Sequence, residues 1–464
     1  GNGAKIAFKT SNGANYVTAR LDLAGIPVQA TAPANGPWEQ FTVEVKRTPA
    51  VTARRGIVRA EHRSWVDDQG PFNPLGGTLF WSLWGWKTDR ERVKQNLQYL
   101  ARFKFDYVRI LCEVDWAGQT IDPNWPDYRE NLASFMDYAY NQAGLRVELT
   151  LIGGGNGIDL MDLTRKVADV VADGRQHMVM NFEIANESNQ RPLSLAQMRE
   201  SGTYLRNRFP SHLVALSSAE AADNYGTTGD WLDTVKANFL KPGTANFVTV
   251  HMDRNPGDDG WRRIRQNWDY KDLDFPVSHN EPAGPRSSVS EEDDPVRLAM
   301  GRATGMINGV NAWVLHNAAG VFGKPIPERN RPPNLWEVAN IDAVMTAVRN
   351  VDKWMPERIG EGRHWNNGWP GNPWNVDAFW GDGANHGVNR SYSVETAGGW
   401  VTTANGVKDY AVYTAGRRSR VEIFDVILGK VGEVTLGAGE TYRVTPLSRD
   451  SGGYGAFVFV GHYL

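Results

Sequence analysis

The run from DYVRILCEV (106–114) through DYRENLASFMDYAYNQ (127–142) to LRVELTLIG (145–153) decides the fold. Its outer pieces are short apolar strands, and the middle piece has the pattern of an amphipathic helix. A strand, a helix and a second strand in this order make a βαβ unit, whose two strands lie parallel.

The same alternation continues in both directions. Further apolar strands are expected near GTLFWSLW (77–84), HMVMNFEIAN (177–186), HLVALSS (212–218), FVTVHMD (247–253), PVSHNEP (276–282) and VNAWVLHN (310–317). Helical stretches lie between them, among them TDRERVKQNLQYLARF, LMDLTRKVADVVADG and PLSLAQMRESGTYLRNRF, with Thr88 and Asp127 placed where helix N-caps belong. Eight strands with intervening helices over residues 51–356 predict an α/β fold, a (β/α)8 TIM barrel. An open doubly wound sheet would carry a Gly-rich phosphate loop after its first strand, whereas Gly85-Trp86-Lys87 stands there. The run GGGNG (153–157) has neither GxGxxG spacing nor a P-loop lysine, and reads as a flexible loop facing a sugar.

The barrel is flanked by two smaller pieces. Residues 1–50 read as a β lobe: KIAFKTSNGANYVTA, IPVQATA and WEQFTVEV, with a turn at Ser11-Asn12-Gly13. Residues 357–464 open with HWNNGWPGNPWNVDAFWGDG, read as loop because it lacks periodicity. DYAVYTAG, RVEIFDVI, GEVTLGAG, ETYRVTPL and GAFVFVGH follow, and predict a C-terminal antiparallel β-sandwich.

Composition narrows the function. The net charge of −3, with Lys and Arg dispersed, offers no basic stripe for nucleic acid. No apolar run reaches the roughly 18 residues that a membrane span needs. One cysteine, Cys112, excludes a disulfide framework, and the nine histidines form no HExxH, HxxEH or HxH motif, so neither metal nor cofactor is expected. No GxSxG elbow signals a serine nucleophile. The 18 tryptophans suit a large core, and also suit a cleft in which indole stacks on sugar rings.

A barrel enzyme carries its chemistry at the C-terminal ends of its strands. That filter leaves Glu113 and Asp115 after the second strand, Glu187 after the fourth, Asp253 after the sixth and Glu281 after the seventh. Glycoside hydrolysis needs two facing carboxyl groups, one protonated and one ionised. Glu187 and Glu281 each follow an asparagine at the end of a strongly apolar strand, where a charge is costly unless a pocket uses it. Glu148 and Glu183, inside strands, read instead as barrel-interior or helix-facing partners of Arg or Lys.

With NFEIANESN and FPVSHNEPAG on the fourth and seventh strands, residues 56–350 resemble the retaining β-glycosidases of glycoside hydrolase clan A, in the manner of family 5-like cellulases and mannanases. The segment SWVDDQGPFNPLGGTLFW resembles the clan's entry to the barrel. This resemblance implies Glu187 as acid/base and Glu281 as nucleophile. It implies Arg109 as a brace on the nucleophile, Asn186 as a ligand of the sugar 2-hydroxyl, and Trp313 as a sugar platform. His251 falls where many members place a tyrosine or histidine near the nucleophile. His279, two residues before Glu281, is expected on the same strand face and lines either the site or the barrel. The opening segment resembles one lobe of a fascin-like β-trefoil, whose families bind partners or glycans; a lone lobe also suits a packing appendage.

The expected function is retaining hydrolysis of β-glycosidic bonds in a poly- or oligosaccharide. Trp81, Trp84 and Trp86 are expected as exposed subsites of an endo-acting enzyme. A monomer working outside the cell is expected, although the chain shows no signal peptide. The alternatives are an exo-acting glycosidase, a transglycosylase, or a non-catalytic carbohydrate-binding protein on the same scaffold.

Overall fold

The computed structural model describes residues 53–251 apart from 117 and 156, then 270, 273–281, 294–325, 332–356, 358, 361–366, 375–379, 391–396 and 398–464. It also describes 5–6, 16–19, 28–32 and 41–42. Residues 1–50 and 51–464 form two compact units. In the first, Lys5–Ile6 pairs with Phe41–Thr42 and Tyr16–Ala19 with Val28–Ala32, both antiparallel. The Ser11-Asn12-Gly13 turn lies outside the described residues.

Eight parallel strands form the centre of the second unit: β1 (Leu75–Thr78), β2 (Tyr107–Leu111), β3 (Arg146–Ile152), β4 (Val179–Ala185), β5 (Val214–Ala215), β6 (Val248–Val250), β7 (Val277–His279) and β8 (Ala312–Leu315). Each pairs with the next except β5 with β6, and β8 pairs with β1. Between β5 and β6 the barrel is closed by a single bridge, Ser218 to Thr249, and by the Asn246 N–H donated to the Val214 carbonyl at 3.0 Å. The (β/α)8 architecture expected from the alternation is the one observed.

Helices α1 (Ser82–Thr88), α2 (Arg90–Arg102), α3 (Tyr128–Asn141), α4 (Leu160–Ala172), α5 (Leu195–Arg208), α6 (Trp231–Phe239), α7 (Pro295–Ile307), α8 (Ala318–Phe322) and α9 (Ile341–Asn350) occupy the connections. The first strand is displaced from its expected place. It ends at Thr78, and the run read as strand continues through a turn into helix α1, because a short apolar run has no period that separates a strand from a buried helix. One cap differs: Asp89, not Thr88, precedes α2 and accepts the Arg92 N–H, whereas Asp127 stands at the N-cap of α3 as expected, with its carboxylate on Lys87.

The N-terminal end of the barrel is plugged by the strands Arg59–Glu61, Ser64–Asp67 and Gly70–Phe72. Trp65 is fully buried among Tyr107, Met180, Leu213, Phe247 and Val314. Asp67 beside it receives Arg54 at 2.8 and 2.9 Å and Arg146 at 2.9 Å, so no charge is left unpaired. The opposite end, where the C-terminal strand ends lie, holds the charged residues considered below.

Two antiparallel sheets complete the chain. The larger has the order β9 (Arg363–Asn366), β11 (Ser391–Thr396), β12 (Gly399–Val407), β17 (Gly455–Tyr463), β14 (Ser419–Asp425), β15 (Gly429–Leu436). The smaller runs β10 (Asn375–Phe379), β13 (Tyr410–Thr414), β16 (Thr441–Val444). β9 and β10 run through the segment read as loop; Trp, Asn and Gly masked its alternation, and the partners β11 and β13 complete its ladders. The larger sheet shares a core with α7, in which Met300 and Ala303 join Tyr392, Val401 and Val458. Among the described residues no helix is long and apolar enough to cross a membrane.

Candidate active site

Strand register sets the floor of the barrel mouth. Arg109 on β2 lies level with Glu148 on β3, and Glu183 on β4 lies level with Thr150. Fully buried, Arg109 donates from Nη2 to Glu183 Oε2 at 2.7 Å and to Asn186 Oδ1 at 2.7 Å, and from Nη1 to Glu281 Oε2 at 3.0 Å. Its Nε lies 3.4 Å from Glu148 Oε1. The Asn280 amide donates to Glu148 at 2.8 Å and to Glu183 at 3.1 Å, and Thr150 and Thr249 donate to Glu183 at 2.8 and 2.6 Å. One guanidinium thus serves three interior carboxyl groups, and the two flanking ones differ in consequence. Burial opposes the charge on Glu183, but Arg109, His251 and these hydrogen bonds outweigh it and hold its carboxyl below the ordinary range. At Glu148 burial prevails, with Glu183 adding to it, and the carboxyl is pushed up to about 7.

Glu281 stands where β7 has ended. Burial opposes its charge too, yet His316, His251 and Arg109 around it bring its carboxyl down to about 2. Glu187, just beyond β4, adopts φ 47° and ψ 63°. A left-handed backbone at a non-glycine residue costs about 1–3 kcal/mol and persists where the surroundings enforce it, often at functional sites. Its Oε2 accepts from Gln190 at 2.8 Å.

Between the two glutamates lies His251, at the end of β6. It turns Nδ1 to Glu187 Oε1 at 3.2 Å and Nε2 to Glu281 Oε2 at 3.7 Å. Burial disfavours its cation, but both carboxylates favour it, Glu281 most, and the imidazole rises to about 9. One oxygen of Glu187, one of Glu281 and a nitrogen of His251 all lie within 4.8 Å of one another. His251 presents a different nitrogen to each carboxylate, so the three form a chain of contacts.

Arg109, Asn186, Glu187, His251 and Glu281 are therefore brought together. Two other expected residues are not. On and just after β7 the inward positions are Ser278, beside Tyr107, and Asn280, whose amide reaches Glu148 and Glu183, so His279 between them faces outward. There it packs edge-on against Trp313 at 6.4 Å. Trp313 is 1% exposed and belongs to the core beneath the helices, while its strand neighbours Ala312 and Val314 face the barrel interior. Neither His279 nor Trp313 lines the site, and Trp313 is no sugar platform. The pleat alternation that put His279 and Glu281 on one face stops where the ladder stops, at His279.

The tryptophans after β1 are corrected in the same way. Trp81 and Trp86 are buried, donating to the Ala319 carbonyl at 3.0 Å and to Ser134 at 2.9 Å, and Trp84 is half-buried against the core. Glu113, one of the strand-end carboxylates, accepts from the backbone N–H of Gly154 at 3.0 Å and Gly155 at 2.9 Å; burial still raises its carboxyl. It anchors the glycine run, which packs so closely that a Cβ at Gly154 would stand 2.4 Å from Asp115. Asp253 lies outside the described residues.

One residue escaped the sequence reading. His316, directly after β8, is buried and lies with Nε2 3.4 Å from Glu281 Oε1. Its signal was available: it too ends a strand, but the strand-end filter was applied to carboxylates alone.

No family model and no curated protein matches the sequence. Among solved structures the fold is similar to one described as a glycoside hydrolase, at 11% identity and TM-score 0.50, with 87% of this chain and 97% of that chain covered. Two more are a family 5 glycoside hydrolase from Bacteroides vulgatus ATCC 8482, at 12% identity, TM-score 0.49 and coverage of 87% and 93%, and a GH30 endoxylanase from Clostridium papyrosolvens C71, at 9% identity, TM-score 0.43 and coverage of 87% and 98%. The likeness is one of fold.

Proposed function

We propose that the chain is a retaining β-glycoside hydrolase, with Glu187 as acid/base and Glu281 as nucleophile. The observation that carries this reading is the approach of the two carboxyl groups, one oxygen of each within 4.8 Å, across the mouth of the barrel. Retaining enzymes set their carboxyl groups about 5–5.5 Å apart for direct attack, whereas inverting enzymes leave roughly 6.5–9.5 Å for a water.

The electrostatics support the division of roles. Glu281, ringed by Arg109, His251 and His316, stays ionised at any pH of interest, as a nucleophile must. Glu187, with Oε1 3.2 Å from Nδ1 of His251, is the group that in this reading hands a proton to the leaving oxygen. In the first step Glu281 bonds to the anomeric carbon while the bond to the leaving oxygen breaks and takes up the proton. In the second, Glu187 removes a proton from water, the water oxygen bonds to the anomeric carbon, and Glu281 departs. Arg109 occupies the Oδ1 of Asn186, which leaves the Asn186 NH2 group as the end that donates to a sugar 2-hydroxyl.

The substrate in this reading is a β-linked oligo- or polysaccharide. The buried Trp81 and Trp86 remove the argument for endo action, so the mode of attack is to be read from product lengths. Proton NMR of the first product, recorded before mutarotation, tests the mechanism: a β anomer from a β-linked substrate is expected, and an initial α anomer overturns it.

A further inference from the structure

The two oxygens of the Glu281 carboxylate are held from different sides of the barrel. Arg109 on β2 takes Oε2 at 3.0 Å, and His316 after β8 faces Oε1 at 3.4 Å. A single ring, Phe80, braces both partners: the Arg109 guanidinium lies 4.9 Å over it, and the His316 ring meets it edge-on at 5.6 Å. The other nitrogen of His316, Nδ1, lies 2.9 Å from the Thr78 hydroxyl at the end of β1. Thr78 is itself pinned, because α8 packs so tightly on its carbonyl that a Cβ at Gly320 would stand 2.3 Å away.

We infer that His316 is a positioning residue for Glu281, fixing the rotation of the attacking carboxylate through a contact whose far side is set by Thr78. The inference rests on the retaining-glycosidase reading for its consequence, though not for the contact itself. Nε2 attracts a carboxylate oxygen when it carries a proton. In the neutral ring Nδ1 then accepts from the Thr78 hydroxyl, and in the charged ring Nδ1–H donates to the hydroxyl oxygen. Thr78 accommodates both forms, so Nε2–H stays directed at Glu281 whichever is present. Arg109 alone leaves the carboxylate free to turn about its bond to Oε2. With His316 added, both oxygens are fixed, and one lone pair is aimed into the mouth before a substrate arrives. The charged groups facing this pair are Arg109, His251 and, through them, Glu183, Glu148 and Glu187.

The test uses the full chain labelled with 15N-histidine. Of its nine histidines, His316 is identified by the signals lost in His316→Gln. The ring nitrogens of His316 are expected to show a protonated Nε2 and to shift in both Glu281→Gln and Thr78→Val. Signals unchanged in Glu281→Gln overturn the contact. On a 2,4-dinitrophenyl β-glycoside that the wild type cleaves, His316→Phe is expected to slow formation of the covalent intermediate roughly 100-fold with little change in KM, as a misaligned reacting group does. His316→Gln, which restores an N–H donor, recovers part of that loss. Equal losses in both variants, or a loss carried by KM, overturn the positioning role. If the wild type cleaves no member of an aryl β-glycoside panel, the glycosidase reading fails, and the nitrogen spectra still decide whether His316 holds Glu281.

Discussion

Nδ1 of His251 lies 3.2 Å from Oε1 of Glu187, and this contact sets how the site answers to pH. Burial lowers the imidazole's affinity for its proton, but Glu281 and Glu187 raise it to about 9. The stabilisation from this cation is fully present below the unfolded value of 6.5 and is lost as pH rises through about 9. Glu281 runs the other way: its stabilisation is present above the ordinary 4.5 and is lost as pH falls towards about 2. Activity is therefore expected to fall on the alkaline side near pH 9. His251→Gln should move or remove that limb, as a pH profile of kcat/KM will read.

Glu187→Ala should penalise substrates by their leaving group. A poor leaving oxygen needs the proton, so its hydrolysis should slow by roughly 10²–10⁴-fold. A 2,4-dinitrophenyl glycoside departs unaided, and its first step should be slowed far less. Equal losses on both substrate types would count against Glu187 as the acid.

Glu281→Ala should abolish turnover on every substrate, by roughly 10⁴-fold or more, because no covalent intermediate can form. It also removes the larger of the two charges that favour the His251 cation, so the His251 titration should fall from about 9 towards its ordinary value. Circular dichroism checks that the fold is intact. A variant that keeps a substantial part of the wild-type rate would place the nucleophile elsewhere.

At the far end of the barrel, Asp67→Ala should cost about 3–5 kcal/mol, since it strands the buried Arg146 without its carboxylate. Urea unfolding monitored by fluorescence measures this. Kinetics recorded well below the transition should be near those of the wild type, because Asp67 lies at the opposite end from Glu187 and Glu281. A drop in kcat without a loss of stability would contradict the assignment of the hairpin as a structural plug.

Much of this was legible in the chain because it is written locally. The βαβ alternation rests on hydrophobic runs and helical spacing, both properties of short windows, and it led to the eight parallel strands observed. The strand-end filter selected Glu187 and Glu281 for the same reason: a carboxylate closing an apolar strand is conspicuous without knowledge of its neighbours. The reading of Glu148 and Glu183 as partners of a cation followed from their places within strands; that they face the interior, with Arg109 as the cation, came from the structure.

Tertiary structure decided what depends on the direction of a side chain and on residues far apart in sequence. A shift of one residue moves a strand side chain to the opposite face, so whether Trp313 faces sugar or helix cannot be taken from its membership of β8. Likewise, where β7 stops determines that Glu281 turns inward while His279 does not. The aromatic run after β1 shows no period that separates exposed from buried indoles, and only the packing of α1 placed Trp81 and Trp86 in the core. The charges of the site are also collective. Arg109, His251, His316 and the carboxylates around them come from six strands, and each ionises as it does because of the others. By itself the sequence determined the barrel and singled out Glu187 and Glu281 as candidates; the approach of their two carboxyl groups, and the histidines beside them, come from the closure of the sheet.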